Sequence, residues 1–126
     1  MGDRFSIAAR VRSFGYAFHG VALLLRSQHN AWIHATATLL VCALGALLGV
    51  SRGDWLWLVA AIAAVWAAEA LNSAIESLAD AVHPAPHPLV GRAKDLAAAA
   101  VLIVSLGAAT IGLLVLGPPL WRWIGG

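Results

Sequence analysis

Within an apolar stretch from Trp55 to Leu78 stand Glu69, Asn72, Ser73 and Glu76, and Asp80 follows just beyond it. A carboxylate in a bilayer interior costs roughly 2.5–3.5 kcal/mol on insertion scales, so acids kept there need a use. On a helix each residue turns about 100°. Glu69, Ser73, Glu76 and Asp80 then fall on one stripe, with Asn72 at its edge. From Glu69 to Asp80 the axial rise is about 16 Å at 1.5 Å per residue. The result is a ladder of acids that starts inside the membrane and climbs to its surface. Carboxylates at helical spacing can hold Mg²⁺, whose shell keeps waters and substrate phosphates. Lys94 and Arg92, across a short loop, can neutralise phosphate oxygens. A deeper carboxylate can accept a proton from an alcohol held at its own depth. Together these groups suit phosphoryl transfer to a lipid hydroxyl. A proton or ion path is the competing use of the same acids. The apparatus of soluble kinases is absent: there is no G-x-x-x-x-G-K-[ST] loop and no D-F-G signature.

The elements that must carry this ladder follow from composition and pattern. The chain is 61% hydrophobic and 11% charged over 126 residues, whereas a soluble domain is about 25% charged. That balance defines an all-α integral membrane protein of one domain, and with a net charge of only +2 nothing points to a nucleic-acid partner. The single cysteine, Cys42, cannot form an intrachain disulfide. The N-terminus lacks the pattern of a cleavable signal peptide.

Residues 1–30 read as a surface helix and its connector. Ile7, Val11, Phe14, Phe18 and Leu25 share a narrow apolar face. Arg12, Ser13, Tyr16, His19 and Arg26 lie opposite, and Arg4 and Arg10 add charge. A wide polar face and a narrow apolar one describe a helix lying in the membrane interface. The first crossing is expected over 32–50, the second over 55–78 and the third over 96–116, with a tail over 117–126. Gly45-x-x-x-Gly49 and Ala108-x-x-x-Gly112 are small-residue faces of the kind that let helices approach. The 79–95 segment reads as the one substantial polar loop, because Pro84, Pro86 and Pro88 oppose a regular helix. For the same reason His83 and His87 are not a helical metal pair, despite their spacing. Pro118 and Pro119 are expected to end the third crossing. Trp55, Trp57, Trp121 and Trp123 sit where an interfacial aromatic belt belongs. Four arginines precede the first crossing and Arg92 and Lys94 follow the second, while Arg52 and Arg122 stand alone at the other ends. The positive-inside rule puts the surface helix, the Pro-containing loop and the top of the ladder in the cytoplasm, the side that holds ATP.

Glu69-x-x-Asn72-Ser73-Ala74-Ile75-Glu76, then Asp80, then Gly91-Arg92-Ala93-Lys94-Asp95 with Ala99-Ala100-Val101-Leu102-Ile103 behind it, resembles the bacterial integral-membrane diacylglycerol kinase family, which includes the undecaprenol kinases. Gly15-Tyr16-Ala17-Phe18-x-Gly20 fits that family's surface helix. The resemblance covers nearly the whole chain in order. It implies a homotrimer with three crossings and a surface helix per subunit, and active sites shared between neighbours. It implies ATP and Mg²⁺, a lipid alcohol as acceptor, and a place in the bacterial inner membrane. By position, Glu69 resembles the general base and Glu76 a Mg²⁺ ligand. Tyr16, Asn72, Glu76, Asp80, Pro86, His87, Lys94 and Asp95 fall where the family contacts nucleotide, metal or phosphates. Glu69 and Ala98 fall at its lipid-substrate positions. Two departures stand out. The family's second acidic metal ligand is Gln28 here, which can coordinate but lacks the charge. An arginine expected near position 9 is Ala9, leaving Arg12, or Arg10 after a register shift, to take its part.

His29-Asn30-Ala31-Trp32-Ile33-His34 is more similar to the undecaprenol branch than to the glycerolipid branch. Two rival readings remain at this point. One is a non-catalytic lipid-binding or assembly protein of the same fold, disabled by Gln28. The other is an ion conductor built on the acids.

Overall fold

The computed structural model describes residues 5–27 and 29–126, with only the backbone given for Ser27 and His29. Gln28 and Arg4 lie outside the described residues. Four helices follow in order: α1 (Ile7–Ser27), α2 (His29–Leu48), α3 (Arg52–Val82) and α4 (Pro88–Trp123). The last three are long and apolar enough to cross a membrane, as the composition requires.

The α2–α3 turn is set by local chemistry. Gly49 adopts φ 60°, the left-handed position that favours glycine. Val50 N–H reaches the Gly45 carbonyl and Gly49 N–H the Ala46 carbonyl, the paired bonds of a Schellman C-terminus. Two residues later Ser51 starts α3. Its Oγ accepts from Asp54 N–H at 3.1 Å, and Asp54 Oδ2 accepts from Ser51 N–H at 3.2 Å. This capping box satisfies two orphan donors at once. Gly49 thus serves the turn, while Gly45 both caps α2 and lets α3 approach it. A Cβ on Gly45 would stand 2.8 Å from the Trp55 ring, so the glycine makes room for an indole.

α2 and α3 run antiparallel, in a register marked by Gly45 against Trp55, Thr38 against Trp66 and His34 against Glu69. α3 and α4 form a second antiparallel hairpin and share most of the packing in the chain. Its loop is much shorter than the 79–95 segment expected. α3 continues to Val82 and α4 begins at Pro88. Pro88 falls at the first helical turn, where its missing N–H is harmless. His87 is the N-cap, its Nδ1 accepting from Leu89 N–H at 3.2 Å. Pro118 and Pro119 do not end α4; both lie inside it, and the helix closes at Trp123 with Ile124 N–H on the Leu120 carbonyl. Proline's fixed φ is compatible with a helix, but each ring removes a backbone donor and crowds the carbonyl four residues back, so this end of α4 carries a local cost.

α1 contacts both α2 and α3. Leu24 is its buried residue, while Ile7, Val11, Phe14 and Phe18 are exposed. The apolar face found by periodicity is therefore left for something other than this chain. Ala108 and Gly112, expected to bring helices together, instead line an open cavity of about 600 Å³ between α2, α3 and α4.

Candidate active site

The α3 ladder shows a gradient of burial. Glu69 is fully buried at 0% exposure and Asn72 is buried at 6%. Ser73 and Glu76 are half-buried, and Asp80 is exposed. The stripe therefore rises from a sealed site to solvent within three turns.

Glu69 is held from α2, with Oε2 accepting from His34 Nε2 at 3.3 Å. With Glu69 ionised, the carboxylate can only accept, and this nitrogen would carry the hydrogen. Oε1 of Glu69 is buried and without a partner among the described residues. Asn72 Nδ2 donates to Glu76 Oε1 at 3.3 Å, while Asn72 Oδ1 and Ser73 Oγ are also buried and unpartnered. A buried polar group left unsatisfied costs about 1–3 kcal/mol. Three such atoms lie within five residues, which makes this stretch of α3 a candidate binding place.

At the outer end, Lys94 Nζ on α4 donates to Asp80 Oδ1 at 2.5 Å. Glu76 lies within electrostatic reach of the same ammonium. The hairpin thus gathers Asn72, Glu76, Asp80 and Lys94 into one polar column above Glu69. Asp95 and Ala98 are exposed on α4, and Pro86 and His87 on the loop. His83 Nδ1 is bonded to the Ala85 carbonyl at 2.8 Å, and its ring meets His87 edge-on at 5.0 Å. Each of these histidines is engaged in loop geometry. Tyr16, Arg10 and Arg12 are exposed on α1; Arg10 lies over the Phe5 ring at 5.6 Å.

Among the described residues, no three His, Cys, Asp or Glu side chains converge on a metal position. Mg²⁺ needs no such cage. It binds through one or two carboxylates and leaves the remaining positions to waters and substrate phosphates. Glu76, with the orphaned Asn72 Oδ1 one turn below it, fits that demand.

His34 went unread as part of the site. It stands on α2, 35 residues from its partner, and no spacing rule connects them. The available signal was a titratable ring inside an apolar crossing, which is a functional candidate by default.

Fold and site together define a multi-pass helical membrane protein with a sealed acid beneath a cation–carboxylate column. The chain belongs to the prokaryotic diacylglycerol kinase family, whose model matches residues 15–116. It is 35% identical to an undecaprenol kinase of Bacillus subtilis over 109 residues, covering 86% of this chain and 89% of that protein. It is 36% identical to a diacylglycerol kinase of Synechocystis over 109 residues, covering 86% of this chain and 62% of that protein. A diacylglycerol kinase of Escherichia coli is 32% identical over 93 residues, 74% of this chain and 76% of that protein. The family supports a lipid-kinase-like function, and its members named here differ in acceptor.

Proposed function

We propose that the protein transfers the terminal phosphoryl group of ATP to the hydroxyl of a membrane lipid alcohol, undecaprenol or diacylglycerol, in the bacterial inner membrane with its site facing the cytoplasm. The carrying observation is Glu69, completely buried with one carboxylate oxygen free. A charge sealed in a crossing helix needs a function, and proton abstraction from an alcohol is one that uses a free oxygen at that depth.

Glu69 Oε1 takes the hydroxyl proton as the lipid oxygen bonds to the terminal phosphorus. The bond from that phosphorus to the bridging oxygen breaks, and ADP leaves with the electron pair. Lys94 neutralises phosphate oxygens, and Asp80 keeps its ammonium aimed over the column. Glu76 and Asn72, with Gln28 as a third oxygen donor, are the residues to hold Mg²⁺; bound there it supplies charge neutralisation on the phosphates. Tyr16, Pro86, His87 and Asp95 surround the nucleotide, with Arg12 or Arg10 added from α1. Glu69 and Ala98 meet the lipid, whose hydrocarbon finds apolar surface in the cavity beside His34. The working form is a homotrimer with sites shared between neighbours. The His29–His34 segment favours undecaprenol.

Purified protein in vesicles, given labelled ATP and a panel of lipid alcohols, tests this reading. The expected result is Mg²⁺-dependent label in undecaprenol above diacylglycerol. No transfer from wild type, and none gained by Gln28→Glu, would overturn the enzyme and leave a lipid-binding protein of the same fold.

A further inference from the structure

Glu69 does not stand alone in the membrane. Its neighbour His34 is half-buried on α2 and bonded to Oε2. The His34 ring also meets Trp66 edge-on, with centroids 6.2 Å apart at 65°. Trp66 in turn donates its indole N–H to Thr38 Oγ1 at 3.0 Å. His34 and Thr38 are one turn apart on α2, and Trp66 and Glu69 one turn apart on α3. Two cross-helix hydrogen bonds and one ring contact thus close a bracket around the acid. Trp66 is fixed by Thr38, His34 is fixed by Trp66, and His34 fixes one oxygen of Glu69.

We propose that His34 is a positioning residue for Glu69: its Nε2–H engages Oε2 and turns Oε1 toward the incoming lipid hydroxyl. A carboxylate's terminal torsion is broad and roughly two-fold, so an unheld Glu69 would present either oxygen in many orientations. A donor on Oε2 removes that freedom and stabilises the anion where water is excluded. The ring lines the 600 Å³ cavity as well, so His34 stands between the apolar space and the acid. Ser105 Oγ on α4, buried and unpartnered, lines the same cavity. Around His34 the polar groups are Glu69, Thr38, the Trp66 indole and Ser105, and no cation among the described residues offers Glu69 a competing partner.

This inference rests on Glu69 being the proton acceptor proposed above. It is tested on the full chain in vesicles, comparing wild type with His34→Phe and His34→Gln. Phenylalanine keeps the ring against Trp66 and removes the donor; glutamine keeps a donor and removes the ring. His34→Phe is expected to lower kcat by about 10–100-fold while KM for ATP stays within about two-fold, and His34→Gln is expected to recover much of the loss. A purely structural role would move both variants together, with assembly falling alongside. In lipid nanodiscs, the side-chain ¹⁵N signal of His34 is expected to move on Glu69→Gln, whatever the activity. Full turnover in His34→Phe, equal loss in both variants, or an unmoved ¹⁵N signal overturns the assignment while the kinase reading stands. A wild type that transfers no phosphate to any lipid alcohol overturns the kinase reading, and this role with it.

Discussion

A proton acceptor in a bilayer must be charged, reachable by one substrate and closed to water. Glu69, proposed for that role, has a buried Oε1 with no partner among the described residues and is closed to water by complete burial. Glu69→Gln keeps the shape and loses the basicity. Its turnover is expected to fall by about 10²–10⁴-fold while binding of a non-hydrolysable ATP analogue persists, read by turnover and equilibrium binding side by side. Lys94 makes the opposite kind of contribution, at the exposed end. Its partner Asp80 is exposed, and surface pairs contribute little to stability. Lys94→Met is therefore expected to raise KM for ATP several-fold and leave the melting temperature unchanged, as kinetics and thermal scans would check. The ladder itself was legible because helical periodicity is local: four polar residues at spacings of four, three and four had to share a face. His34 was not legible as Glu69's partner, because their contact joins two helices whose register is fixed elsewhere, by Gly45 and the Ser51 cap.

At the scale of elements, the turn between α2 and α3 decides whether His34 reaches Glu69. The register depends on Trp55 lying over Gly45, where an added methyl would come within 2.8 Å of the indole. Gly45→Ala is expected to destabilise the chain by about 1–3 kcal/mol, the usual cost of overpacking, and to lower turnover through misregister. Unfolding in mixed micelles and the transfer assay would measure the two effects. The crossings were readable from hydropathy, since apolar length alone predicts a span. Their ends were less so. Three prolines read as loop, yet Pro88 starts α4 and the turn shrinks to residues 83–87. The deciding partner there is the His87 Nδ1 cap, an unusual choice that N-cap preferences would not rank highly. Pro118 and Pro119 read as a stop, yet α4 carries both and closes only at Trp123, because their fixed φ is helical even though each forfeits a donor and crowds the preceding turn.

At the scale of the molecule, one chain buries little. Among the described residues the buried hydrophobics are Leu24, Ala31, Leu58, Ala61, Ala97 and Leu116, while leucines along α2 and α4 face outward. In lipid there is no hydrophobic drive between helices, so close helix packing and polar contacts must supply cohesion. The trimeric proposal predicts a protein mass in detergent of about three times the 13.1 kDa chain, measurable by light scattering with the detergent subtracted. A mass of one chain would remove the shared site from the proposal. Helix length carries the last consequence. α4 has 36 residues and so extends about 54 Å, against a hydrocarbon slab of about 30 Å. With the Trp121 and Trp123 indoles at one interface, as the aromatic-belt expectation has them, the rod would hold Lys94 at a set height above that end. Stretching the slab with longer acyl tails would sink the sealed acid away from the nucleotide; thinning it would let water reach it. On the proposed function, phosphate transfer should then peak at one tail length, which would make the protein a gauge of its own membrane's thickness.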